Sequence, residues 1–332
     1  MSSSIVRQLH RMADMRRNDR GTVIQGSAIF AGMLSLMLGC GDSPTSTADT
    51  REEIAQAAAS VAQVAAAVTG QDAPLADEAK AGKSLGFDTH TFPGEKTMRA
   101  WKDAPGAPYS WVGYYLPSPC HKDASWSGKR ELLTTMGWGL AVVYVGQQAW
   151  GRKPKALSAA RTASLVKAGT TCNADLLGAS RGVADGADAI SVAQREGFAR
   201  QSVIYLDIER MENMPEAMRS YYRSWAKTLL VDGRYRPGVY VHAFNAQTVH
   251  DDLKQEFAAA NVNEEPRIWV ASGRGFDEGK APQDVGFAFA GVWQGMLDVA
   301  RAVADIKLPV DVNVSSWQSP SDPAAVPTQS TQ

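Results

Sequence analysis

Short apolar runs alternate with polar intervals from Lys83 to Val314, and the runs tend to end at a polar or charged residue. Runs that are apolar on both faces read as strands buried between layers. Eight of them fall at 85–88, 110–116, 140–145, 203–209, 238–242, 267–271, 289–294 and 308–314. Two intervals carry helical spacing, Ala184 to Ala199 and Met218 to Val231. Gly233 stands where a helix C-cap glycine belongs. Strands alternating with helices predict a parallel sheet with crossover helices. Eight strands over about 230 residues predict an α/β fold of the (β/α)8 TIM-barrel type, open to irregularity. An open doubly wound sheet is the alternative, but no GxGxxG or P-loop accompanies it to mark a nucleotide site.

A barrel of this type carries its active site at the C-terminal ends of its strands. Polar residues fall at those ends: Asp88, Gln147, Asp207, Glu209, His242, Gln294, Asp311 and Asn313. The fourth run, Val203-Ile204-Tyr205-Leu206-Asp207-Ile208-Glu209, is the most pointed. Successive strand side chains point to opposite faces, so Asp207 and Glu209 share one, with Cα atoms roughly 6.5 Å apart. Like charges so close at the end of an apolar strand push one carboxyl pKa upward, as a general acid near neutral pH requires. Glu209, the last inward acid, is the expected proton donor. Asp207 would raise its pKa, orient an acetamido group or accept a hydrogen bond, and Asp88 and Asp311 would add negative potential. Taken singly, Asp88 reads as a turn acid and Asp311 as a strand-edge acid. Their convergence from distant parts of the chain is what marks a site.

Aromatic faces stack on sugar rings and line pockets. Tyr114, Tyr144, Trp269 and Trp293 lie in or near the strands. Core packing explains each of them as well, except Trp293, which stands beside Gln294 at a strand end and is the favoured sugar platform. His242, Gln294 and Asn313 are expected as further substrate contacts, His242 as a hydrogen-bonding residue and not a catalyst. The histidines are scattered without metal-ligand spacing, there is no GxSxG, and Cys120 has no evident base. No metal, cofactor, serine nucleophile or cysteine nucleophile is therefore expected.

The remaining composition narrows the partners. Of 332 residues, 34 are basic and 35 acidic, which argues against nucleic acid. At the N-terminus Arg7, Arg11, Arg16, Arg17 and Arg20 precede an apolar run from Ala28 to Leu38, and then Gly39-Cys40. A basic segment, a short apolar segment and a small residue before a cysteine read as a lipoprotein-type export signal over 1–39, with Cys40 as the lipidation candidate. Residues 40–82 read as a tether followed by an Ala-rich helical segment, 83–316 as the barrel, and 317–332 as a disordered Ser/Pro/Thr/Gln tail. An exported protein can oxidise Cys120 and Cys172 to a disulfide; two buried thiols are the alternative. The expected location is the cell envelope, lipid-anchored or secreted.

Gly86-Phe87-Asp88, Gly113-Tyr114-Tyr115-Leu116, Tyr205-Leu206-Asp207-Ile208-Glu209, Gly238-Val239-Tyr240 and Val310-Asp311-Val312-Asn313 together resemble a glycoside-hydrolase-like domain family, first catalogued as a domain of unknown function. That family is similar to the family 25 lysozymes, barrel muramidases acting on peptidoglycan. The resemblance implies a carboxylate after strand one (Asp88), Asp-x-Glu on strand four with Glu209 as proton donor, and a late Asp on strand eight (Asp311). It implies a cell-wall glycan as partner. Two functions follow as expectations: a glycosidase acting on peptidoglycan or a related glycan, or a non-catalytic glycan-binding envelope protein on the same barrel.

Overall fold

The computed structural model describes residues 83–149 and 172–324. The export signal, Cys40, the tether and the Ala-rich segment lie outside the described residues. Eight strands close into one barrel in sequence order. They are β1 (Ser84–Asp88), β2 (Trp111–Tyr115), β3 (Gly139–Val145) and β4 (Val203–Ile208). The others are β5 (Arg236–His242), β6 (Ile268–Ala271), β7 (Ala290–Val303) and β8 (Ile306–Ser315). Every predicted strand is present, so the apolar runs did mark elements buried on both faces.

Among the described residues, five α-helices pack between the strands: α1 (Glu95–Asp103), α2 (Arg130–Thr135), α3 (Ala179–Arg195), α4 (Glu216–Asp232) and α5 (Ala243–Ala259). The predicted helical intervals are α3 and α4. Gly233 closes α4 at φ 73° and donates its N–H to the Leu229 carbonyl, the left-handed cap that favours glycine. The periodicity did not announce α5, which starts directly after β5 with no intervening loop. Among the described residues no helix is long and apolar enough to cross a membrane.

The barrel departs from eight parallel units at β8, which runs antiparallel to both β7 and β1. No crossover helix joins β7 to β8. A two-residue turn does, with Ala304 at φ 48° and Asp305 at φ 62°. Paired positive φ values match the twist of a tight hairpin, so the chain reverses rather than crossing over. The Trp101 indole on α1 donates to the Ile306 carbonyl at 3.1 Å and ties this hairpin to the helix layer.

Side chains alternate between two packed layers. Outside, Phe87 meets Trp101, Tyr109 and Trp138 edge-on at centroid distances of 5.0, 5.2 and 5.7 Å. Inside, Trp269 meets Trp111, Tyr205 and Tyr240 at 5.6, 5.7 and 5.5 Å. The interior is thus a filled aromatic core, not a pore. Gly86 makes room for it: a Cβ there would lie 2.1 Å from the Trp111 ring.

The expected disordered tail from 317 onward is corrected in its first part. Residues 317–324 close the bottom of the barrel. The hydroxyls of Ser319 and Ser321 accept from the N–H groups of Leu140 (3.1 Å) and Val142 (2.7 Å). The Ser321 carbonyl accepts from Val203 N–H at 2.9 Å. The Pro320 carbonyl takes Tyr205 Oη at 3.1 Å and Arg267 Nη1 at 2.7 Å. Serine and proline lower hydrophobicity and so read as disorder, yet here they supply acceptors to strand ends that would otherwise lack them. Cys120 and Cys172 are joined by a disulfide.

Candidate active site

The acids gather at the end of the barrel where β1 to β6 finish. Asp88, the last residue of β1, is 2% exposed. Its Oδ1 accepts from the Tyr115 hydroxyl at 2.6 Å. Its Oδ2 accepts from Asn313 Nδ2 at 2.8 Å and Gln294 Nε2 at 3.0 Å. Gly113 allows this approach, since a Cβ there would stand 2.5 Å from the Asp88 Cβ. Asp311 pairs directly across β8 from Asp88. Its Oδ2 accepts from the same Gln294 Nε2 at 3.3 Å, and its Oδ1 from the Asp298 N–H at 2.6 Å. That N–H is aimed by an irregular stretch of β7, where the register shifts and Asp298 takes φ 51°.

Burial raises the Asp88 pKa, and the bonds from Tyr115, Asn313 and Gln294 only partly offset it. Asp311 is pushed well above the usual carboxylate range, first by burial and then by the charge of Asp88. Two carboxylates that share one amide donor behave as a single coupled pair.

Asp207 sits near the end of β4, in register with Val145 and Tyr240, and is 9% exposed. The strand ends at Ile208, one residue earlier than predicted, so Glu209 lies just beyond it. The Gln148 side chain fixes this end with both of its amide atoms. Nε2 donates to the Asp207 carbonyl at 2.7 Å, and Oε1 accepts the Glu209 N–H at 3.2 Å. Tyr240 brings the halves of the site together. Its hydroxyl donates to Gln294 Oε1 at 2.6 Å. Burial pushes its phenol well above its ordinary value, and the charges of Glu209, Asp207, Asp311 and Asp88 add to that push. All four predicted acids are therefore within electrostatic reach of one phenol.

The other predicted contacts divide by face. Asn313 is fully buried and accepts the Trp269 indole N–H at 3.0 Å, which makes Trp269 the floor beneath Asp88. Gln294 points inward, as described. His242 ends β5 and caps α5, its Nδ1 accepting the Phe244 N–H at 3.1 Å; a neutral ring bonded in this way carries its proton on Nε2.

Three aromatic candidates are corrected. Trp293 is buried against Phe276 at 5.0 Å and donates to the Ser272 carbonyl at 2.7 Å. It neighbours Gln294 in sequence and so points to the opposite face. Tyr114 bonds Glu196 at 2.5 Å under the helices, and Tyr144 bonds Asp188 at 2.9 Å on α3. The residues missed were Tyr115, Tyr240 and Gln148. Strict alternation from Gly113 and from His242 would have found Tyr115 and Tyr240. Among the described residues no group of three or more His, Cys, Asp or Glu side chains is arranged to hold a metal ion.

A closed α/β barrel with four carboxylates at one mouth defines a glycoside-hydrolase-like protein. The chain belongs to the Rv2525c-like, glycoside hydrolase-like domain family, which matches residues 99–305. That match spans Tyr115, Gln148, Asp207, Glu209, Tyr240 and Gln294 and stops short of Asp88, Asp311 and Asn313 on either side. Among solved structures, the chain is similar to an uncharacterized B. stearothermophilus protein at 18% identity, covering 70% of this chain and 95% of that one, with a TM-score of 0.46. It is similar to the Mycobacterium tuberculosis Tat-secreted protein Rv2525c at 20% identity, over 70% and 94% of the two chains, with a TM-score of 0.40. It is also similar to the Clostridium perfringens spore cortex lytic enzyme SleM at 13% identity, over 70% and 67%, with a TM-score of 0.44. No curated protein matches the chain.

Proposed function

We propose that this protein hydrolyses a cell-wall glycan of the peptidoglycan type, with Glu209 as general acid. The observation that carries this reading is that Asp88 and Asp311, joined through Gln294 and Tyr240, stand at the same barrel end as Asp207 and Glu209 at the end of β4. Cleavage of a glycosidic bond needs a proton for the leaving oxygen and negative charge near the sugar carbon as it becomes cationic. Glu209 follows the end of β4, its N–H held by Gln148 Oε1, and in this reading it gives that proton. Asp207 beside it is placed to orient an acetamido group or to stabilise positive charge. The Asp88–Asp311 pair, bridged by Gln294, holds a proton more tightly than ordinary carboxyls and so limits the total charge of the mouth.

The second reading is a barrel that holds glycan without cutting it. Its support is Asp88, whose two oxygens are occupied by three donors from Tyr115, Asn313 and Gln294, as suits a fixed wall of a binding site.

Export to the envelope, with a lipid on Cys40, is part of the proposal. It is supported by the N-terminal charge and apolar pattern and by the Cys120–Cys172 disulfide, a bond that persists in oxidising compartments.

The test is release of reducing ends from purified wall by the parent and by Glu209→Gln. Loss of a general acid is expected to slow release by at least about 100-fold. Equal release by both would reject Glu209 as the acid. Binding to wall without release by the parent would favour the second reading.

A further inference from the structure

We infer that Arg210 and Phe244 form a rim subsite that takes a carboxylate-bearing sugar of the glycan. The inference rests on the glycan reading above and deepens it. Arg210 follows Glu209 beyond β4, and Phe244 opens α5 beyond β5, so both stand at the acid-bearing mouth. The guanidinium lies over the Phe244 ring at 5.7 Å from its centroid. Among the described residues no carboxylate lies within ion-pair distance of Arg210. Phe244 is 60% exposed, one of three large apolar side chains left open in the described part of the chain.

The pair is held in place from both sides. Gln148 Oε1 accepts the Glu209 N–H at 3.2 Å, one residue before Arg210. One residue after it, buried Asn245 takes both backbone groups of Met211, accepting the N–H and donating to the carbonyl, each at 3.0 Å. The backbone carrying Arg210 is therefore clamped on either side of it, and the second clamp comes from the residue next to Phe244. A site fixed in this way is pre-organised.

The chemistry selects the ligand. A planar guanidinium presents paired donors that match a carboxylate. An open phenyl face accepts the C–H face of a pyranose. An anionic glycan crossing this mouth passes Asp207 and Glu209, acids that repel it when ionised. Arg210 is a cation that turns one position attractive. Muramyl lactyl groups and uronic acids both carry such a carboxylate.

The experiment is calorimetric titration of the full chain, carrying Glu209→Gln so that no ligand is consumed. Three probes are used at low salt: a denuded N-acetylglucosamine–N-acetylmuramic acid tetramer, chitotetraose as its neutral counterpart, and tetragalacturonate. An exposed guanidinium–carboxylate pair is worth up to about 5-fold in affinity. The muramyl tetramer is therefore expected to bind about 5-fold tighter than chitotetraose. Added Arg210→Gln should bring that ratio to about one, Arg210→Lys should keep part of it, and Phe244→Ala should weaken both ligands. Tetragalacturonate binding with the same dependence on Arg210 would show that any acidic glycan serves; its failure would assign the subsite to muramyl groups. A ratio of one in the parent, or a ratio unchanged by Arg210→Gln, overturns the inference and leaves the glycan reading standing. No binding of any probe overturns both.

Discussion

Replacing Asp311 by Asn should make the protein more stable at neutral pH. Asp88 Oδ2 and Asp311 Oδ2 accept from the same Gln294 Nε2, at 3.0 and 3.3 Å, so they lie no more than about 6 Å apart. Two full charges at ~6 Å repel by about 3 kcal/mol at an effective dielectric of ~20. Asn keeps an acceptor for the Asp298 N–H, now 2.6 Å from Asp311 Oδ1, but as a neutral bond that is weaker by roughly 1 kcal/mol. The net expectation is a gain of about 1–2 kcal/mol, or roughly 3–6 °C in Tm for a domain of this size. The sign depends on pH. Both carboxyls are raised in the folded state, so the fold binds a proton more tightly than the unfolded chain, whose aspartates titrate near pH ~3.9. The parent therefore loses stability as pH rises through the folded-state pKa values, and has lost none below the unfolded value. Asp311→Asn should gain at pH 7 and gain nothing at pH 3, read by thermal unfolding at both. A variant less stable than the parent by the same amount at both pH values would refute the reasoning. Asp311 would then be held by its contacts and not opposed by its charge.

Three further outcomes follow from packing. Gly86→Ala puts a methyl group 2.1 Å from the Trp111 ring and should cost at least about 1–3 kcal/mol, read as a lower urea midpoint. Reducing the Cys120–Cys172 bond, which spans 52 residues, releases a loop whose closure entropy is worth up to about 4 kcal/mol, so Tm should drop on adding dithiothreitol and stay unchanged in a Cys120→Ser/Cys172→Ser variant. Ending the chain after Ser316 removes the acceptors on Leu140, Val142 and Val203 N–H groups and should destabilise by about 2–3 kcal/mol, measured by denaturant unfolding.

The strands were legible because a run apolar on both faces has few other structural uses. The gathering of the four acids at one barrel end was legible because carboxylates end several of those runs. What failed was the choice of face. In Gly113-Tyr114-Tyr115 the inward tyrosine is Tyr115, and the sign of it is Gly113, left bare so that Asp88 fits against it. Trp293 looked like a sugar platform because it adjoins Gln294, and adjacency along a strand means opposite faces. The reversal of β8 was not legible either. Its turn is Ala304-Asp305, without the Gly or Asn that usually announces paired positive φ. The tail at 317–324 was misread because its stabilising groups are acceptors, which composition counts as polar and therefore disordered.

The mouth is organised by amides in place of cations. Gln294 and Asn313 position Asp88, Gln294 reaches Asp311, Gln148 fixes the backbone at Asp207 and Glu209, and Asn245 fixes Met211. A lysine or arginine in place of Gln294 or Asn313 would orient its acid equally well but would lower the pKa of that acid by its charge. An amide offers a donor and an acceptor at fixed separation and adds no net charge. Carboxyls held by amides stay in place while burial and mutual repulsion keep their proton affinity high, as Asp88 and Asp311 do. That combination of fixed geometry and retained proton affinity is what acid chemistry on a glycosidic oxygen requires. It also fits Arg210, which stands on the rim over Phe244 and not among the acids.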